Sequence, residues 1–581
     1  MRVRHLQTPH GGTQGGFALV FSVITTLVVA AMAAVMFTAA DTSRRVSDVT
    51  VGKTRARFIA QGALSSVEKE LRATLSDFGQ PVLNGTKTID GHNVTFEVVE
   101  LGAASTLLQP SGVQRIVQPY EISANVVADG ASGSARRIIN AEYTPLFQFA
   151  VFYDNDLEIL PGPSMTLTGR IHSNGDLFLG SGGTLTFDSN QVRALGEIFR
   201  ARKTGGETGG TVQFRKYVQN PLDSSEPREF ERMLSRAQLG PASVSGYDSH
   251  FTAGFDANGD GDFTDASDFL PFEFGSQQLW RQPDGYPVAG NTVQTGDHGV
   301  AYVSTPSVES IQAYVDSGDG SGTQVKGYYH ENAGLQIIVD DNEVSYTAVL
   351  ADGTDVTADV APALTMSDIW DGRQSRESTD RSTVIEIDVE VLGDLGYVPS
   401  NGLLYATHDG LGEGIDAKGI VLKNGAEIAG DLTVVSEGPV YIQGDFNVVN
   451  KKAASVIADA VNLLSNSWDN SKEKDDRPRA SETDYNVAIV TGSYESVPGR
   501  YNGGFENLPR FHENWSGVDC NILGSFVNSF DSKHATGSIG GVRNLYRAPG
   551  RKWAYDPDFN TVDNLPPFTP LAVSIESVVS W

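Results

Sequence analysis

Twenty-four consecutive residues without a charge, Phe17–Ala40, constrain this chain more than anything else in it. At about 1.5 Å per residue such a run spans roughly the 30 Å hydrocarbon layer of a bilayer. A secretory signal would have a shorter apolar stretch with a small-x-small cleavage site behind it. Here the polar leader, residues 1–16, precedes the apolar run, and a cut between Gly16 and Phe17 fits best. The helical pattern continues past Ala40. No proline stands between Pro9 and Pro81. Ala56, Ala60, Ala63, Val67 and Leu71 recur at spacings of three and four, which places them on one face of a helix reaching about Leu75. Glu68 and Arg72 add a favourable i,i+4 pair. The expectation is one long helix, its first half apolar all round and its second half amphipathic.

Charge and cysteine usage narrow the rest. A net charge of −29 over 581 residues argues against a nucleic-acid partner, because phosphate binding needs clustered Lys and Arg. It suits an exported protein and divalent cations. A single cysteine, Cys520, leaves no internal disulfide to form. The length implies two or three folded units.

The segments Gly16-Phe17-Ala-Leu-Val and Arg57-Phe-Ile-Ala-Gln-Gly-Ala-Leu64 resemble the type IV pilin family, in particular the PilX-like minor pilins and the K-type pseudopilins. The resemblance extends from the leader to the end of the helical pattern near Leu75. It implies that a prepilin peptidase cuts after Gly16, that Phe17 becomes the N-methylated amino terminus, and that the helix bundles with other pilins or pseudopilins. Most pilins have Glu as the fifth mature residue, and this chain has Phe21. K-type pseudopilins also lack that Glu and sit at a filament tip, so the resemblance implies a minor or tip subunit. It also implies a single pass through the inner membrane before assembly, with the bulk of the chain periplasmic or extracellular. Arginines flank the apolar run on both sides (Arg2 and Arg4; Arg44, Arg45, Arg55 and Arg57), so charge alone does not orient it. A simple signal anchor with a stalk is the plain alternative.

Beyond the helix the pattern is mainly β. Val94–Val99 reads as a strand, and Tyr120–Val127 with Arg136–Thr144 as a hairpin about the Asp129-Gly130 turn. From residue 148 short apolar runs alternate with Gly-Asp turns, at Gly175-Asp176, Gly430-Asp431 and Gly444-Asp445. Short strands at a regular period are what a right-handed β-solenoid requires, since each rung buries its inner face only against the next. A β-sandwich is the alternative. Ala454–Ser465 and Tyr485–Thr491 read as additional rungs. The chain thus divides into the leader 1–16, a transmembrane and amphipathic helix 17–79, a small β unit 80–147, first solenoid rungs 148–200, a polar insertion 201–397, and a solenoid continuation with an aromatic C-terminal cap 398–581.

Asp256-Ala-Asn-Gly-Asp-Gly-Asp-Phe-Thr-Asp-Ala-Ser-Asp268 has oxygen side chains at positions one, three and five and glycine at six. That spacing fits a structural calcium loop formed by Asp256, Asn258, Asp260 and Asp262, and it resembles EF-hand and dockerin loops. Ser267 stands where the usual bidentate carboxylate would be, so Asp265 or Asp268 must close the shell. A plain acidic turn is the competing explanation. Val51-Gly-Lys-Thr54 lacks the first glycine of a P-loop and lies within the helical pattern. The triplets beginning at His330 and His512 have no second histidine at metal-binding spacing and read as isolated exposed histidines. The aromatic segment 501–556 reads as an end cap or as a polysaccharide platform using Trp515, Glu506 and Glu513. Paired rung acids such as Asp431 and Asp445 would serve an anchored lyase or hydrolase. No motif demands catalysis, and a structural or binding component, not an enzyme, is the expectation.

Overall fold

The computed structural model describes residues 15–76, 81–109, 112–189, 191–204, 209–215, 228, 230–233, 293–296, 300–316, 322–340, 345–374, 380–472, 478–497, 502–537 and 546–580. The calcium-type loop, Asp256–Asp268, lies outside them. Helix α1 runs Gly15–Ser76 over 62 residues, about 93 Å at the usual rise. In its apolar half the hydroxyls bond back to the helix's own carbonyls: Ser22 to Leu19 at 2.8 Å, Thr25 to Phe21 at 2.7 Å and Thr26 to Ser22 at 2.7 Å. No polar side-chain atom there is left needing water.

A small antiparallel sheet follows, from strands β1 (Asn84–Ile89), β2 (His92–Glu100), β3 (Ser105–Leu108), β4 (Gln114–Ala128) and β5 (Ala131–Pro145). The β4–β5 hairpin closes at Ala128–Ala131 with Asp129 at φ 51° and Gly130 at φ 77°. Both central residues are left-handed, which is the two-residue turn that Asp-Gly favours. Asp90 and Gly91 make the same turn between β1 and β2, at φ 50° and 76°. The chain's last strand, Leu571–Ser580, returns to pair with β5. Its buried face joins Val94, Phe96, Ile122, Ala124, Ile139 and Ala141 beneath the second half of α1.

From residue 151 the architecture changes to an extended, open β-sheet region dominated by parallel pairing. Leu157 lies beside Leu177, and Leu177 beside Ile198, so neighbours in the ladder follow one another at a nearly constant step along the chain. Met165 and Leu185 pair likewise. Among the described residues the largest sheet has 15 strands. The chain enters it in the middle, at Val151–Tyr153, and builds outward through Ile171–Ser173, Val192–Ala194 and Val293–Gln294. It then resumes at the opposite end with Leu335–Val339 and returns through Leu403–His408, Leu432–Gln443, Ala454–Leu464 and Ala488–Thr491 to Phe526–Asn528, which pairs with Val151–Tyr153. Leu335–Val339 and Ser382–Asp388, within the stretch expected to be an insertion, are therefore strands of this sheet. Their alternation is diluted by polar outward residues, while the inward ones, Leu335, Ile337, Val339, Ile385 and Ile387, are wholly buried.

Candidate functional site: the amino-terminal helix and its seat

The two halves of α1 behave differently. Side chains from Phe17 through Val51 are exposed, Phe17 at 81 % and Phe21 at 67 %, although this is the most apolar part of the chain. A surface so apolar is stable only against lipid or other apolar helices. At Ala56 burial begins, and Ala56, Ile59, Ala60, Ala63, Leu64, Val67, Leu71 and Leu75 all turn into the sheet. Gly15 and Gly16 form the first described turn, with Phe17 directly after them. Phe21 leaves the fifth position after the expected cut without a carboxylate.

Small residues bring helix and sheet together. A Cβ on Gly133 of β5 would stand 2.4 Å from the Ala56 carbonyl carbon, so backbone packs on backbone there. Ion pairs span the same interface. Arg55 reaches both hairpin turns, Nη1 to Asp129 at 2.8 Å and Nη2 to Asp90 at 2.9 Å. That bond and charge hold the Asp90 carboxyl below the usual carboxylate range. Glu68 pairs with Arg137, Glu70 with Lys87, and Arg72 Nη2 donates to the Ile575 carbonyl at 3.1 Å. The Arg55 clamp was missed from sequence alone, although Asp90-Gly91 carries the same turn signal as Asp129-Gly130.

The other predicted residues are dispersed. Trp515 is fully buried with its ring against Phe511, centroids 5.7 Å apart. Glu513 is buried and accepts from Ser465, and Glu506 is buried and accepts from the Leu160 N–H at 3.1 Å. None of the three faces solvent. Asp431 accepts from Ala453 N–H and Asp445 from Asp484 N–H, both at 2.9 Å, so each ties one strand turn to the next. Val51–Thr54 is helical. The two histidines expected on the surface are instead buried. His330 stacks on Tyr405 with centroids 4.8 Å apart, and His512 bonds Asn462 at 2.9 Å. A polar cleft beside the junction of Val151–Tyr153 and Phe526–Asn528 also went unforeseen. Lys203 bridges Asp156, at 2.7 Å, and Glu495 there, and burial pushes the neighbouring Glu158 carboxyl upward.

What these elements define is a long half-exposed apolar helix on a small antiparallel sheet that carries a large β-rich body. No protein-family model matches the chain, and no curated protein matches it. Among solved structures it is similar to the competence-associated pilin ComZ from Thermus thermophilus, at 10% identity and a TM-score of 0.23, covering 91% of this chain and 97% of that one. A superposition at that level fixes no residue correspondence.

Proposed function

We propose that this chain is a minor or tip structural subunit of a type IV pilus or pseudopilus, its helix bundled with other pilins and its β body carried outward. The observation that supports this most directly is the division of α1, exposed and uncharged to the membrane's depth, then seated on its own sheet. The Gly16–Phe17 junction is the proposed site of prepilin peptidase, with methylation at Phe17. Phe21 supports a position where no neighbouring subunit requires a carboxylate. The evenly stepped parallel ladder through Leu157, Leu177 and Ile198 supports a β-solenoid for the body. Asp256, Asn258, Asp260 and Asp262, closed by Asp265 or Asp268, are proposed to hold a structural calcium. The body's role is binding or spacing and not catalysis, with a polysaccharide the candidate ligand. Gly16→Ala tests the central claim. In cells with a prepilin peptidase the variant should keep its leader, seen as intact mass and an amino terminus at Met1. Normal trimming of that variant would refute the assignment.

A further inference from the structure

Two buried guanidinium groups of the body lie within electrostatic reach of each other and of one buried carboxylate. Arg373 and Arg510 are 6 % and 3 % exposed, and Asp371 between them is fully buried. Asp371 is already occupied: its Oδ1 accepts from the N–H groups of Arg373 and Gln374 at 2.8 and 3.1 Å, and its Oδ2 from the Tyr441 hydroxyl at 2.8 Å. Arg373 donates to the Asn502 amide oxygen at 2.8 Å and more distantly to the carbonyls of Asn507 and Gly537. Arg510 donates through Nη2 to the Ala535 carbonyl at 2.5 Å, and its Nη1 has no partner. Neither guanidinium forms an ion pair with a carboxylate among the described residues.

The adjoining histidine does not make up the deficit. Asn462 Nδ2 donates to the Val440 carbonyl at 3.2 Å, which turns its Oδ1 toward His512 Nε2 at 2.9 Å. Nε2 therefore carries the proton. Burial pushes the His512 imidazole down against the opposing pull of Asp371, whose carboxylate stands 3.6 Å from Nδ1, too far for a hydrogen bond. Trp370, packed edge-on to His512, leaves its indole N–H unpartnered as well. Among the described residues the site holds two buried cations, the Asp371 carboxylate and unsatisfied donors; a further buried carboxylate, Asp459, accepts from the N–H groups of Lys533, His534 and Ala535 and is linked to Arg510 only through the Ala535 peptide. A buried cation without a counter-charge is strongly destabilising.

We propose that a small inorganic anion of the halide class, chloride in physiological solution, occupies this site on Arg510 Nη1 and completes the charge balance with Arg373 and Asp371. The burial of every lining side chain favours a small ion, and the excess of buried guanidinium over carboxylate favours an anion over water.

The test is thermal unfolding of the full-length protein in detergent, in sodium chloride against sodium gluconate at constant ionic strength. Tm should climb with chloride and then with its logarithm once the site fills, and bromide should substitute. Arg510→Gln should unfold at a Tm indifferent to the halide. Anomalous diffraction from bromide-soaked wild-type crystals gives an answer that does not depend on that variant folding, with a peak expected within hydrogen-bonding distance of Arg510 Nη1. Equal Tm in both salts, a halide response that survives Arg510→Gln, or a bromide map empty at Nη1 would each overturn the proposal.

Discussion

Ser465 donates both its backbone N–H and its hydroxyl to the Glu513 carboxyl, at 2.6 Å each. Even so, burial pushes that carboxyl from 4.5 up to about 7. Between those values the folded chain keeps a proton that the unfolded chain releases, so stability falls as pH rises from 4.5 to 7. The integrated effect is about 3 kcal/mol. His172 acts in the opposite sense. It is stacked on Phe152 at 5.2 Å, and burial lowers its imidazole from 6.5 to about 4. Its contribution is full above pH 6.5 and is lost as pH falls toward 4. The two slopes oppose each other between pH 4.5 and 6.5. Glu513→Gln should therefore raise Tm at pH 8 and unmask a decline on acidification through that window, relative to wild type. Parallel pH profiles for the two proteins would refute this. Neither role was legible in sequence, because burial of a charged residue depends on what packs over it. The Gly-Asp turns were legible as turns only. Asp156 accepts from Asp176 N–H at 2.7 Å and Asp176 from Glu197 N–H at 2.8 Å, so each carboxylate fastens the following turn. A single stretch of sequence does not contain that neighbour.

At the scale of elements, α1 and the β4–β5 hairpin were readable because their signals are local. An apolar period of 3.6, an uninterrupted run without proline, and Asp-Gly between alternating strands each act within a few residues. The fit between them is not local, and two residues separate its contributions. Arg55 is half exposed, and exposed ion pairs stabilise by about 0–1 kcal/mol even with good geometry. Gly133 stands where backbone meets backbone, and overpacking there costs about 1–3 kcal/mol. Gly133→Val should therefore lower Tm clearly and expose α1 beyond Ala56 to protease, while Arg55→Ala should be nearly silent in both assays. If Arg55→Ala proved the more damaging of the two, electrostatics and not close packing would be what seats the helix.

On the scale of the whole molecule, the body is inserted between two neighbouring strands of the helix-bearing sheet. The chain leaves the sheet at Pro145 and returns at Leu571, and the two crossings are fastened by Leu146 N–H to the Pro570 carbonyl at 2.9 Å. The chain likewise returns to the middle of the large open sheet, where Phe526–Asn528 pairs with Val151–Tyr153. Neither return has a sequence signature, since strands from opposite ends of the body obey no shared period. They have a mechanical consequence under the proposed anchoring through α1. Load applied to the body is shared between β5 and the last strand, and the ladder lies outside the path of that load. Truncation after Pro570 should accordingly strip the cover from Ile139 and Ala141 and remove the Ile575 carbonyl that anchors Arg72. Hydrogen exchange should then accelerate in β5 and in α1 between Ala56 and Leu75, with protection in Leu432–Gln443 and Ala454–Leu464 unchanged. Loss of protection throughout the large sheet would mean instead that the body depends on its return strand to fold, and that sheet and body form one cooperative unit.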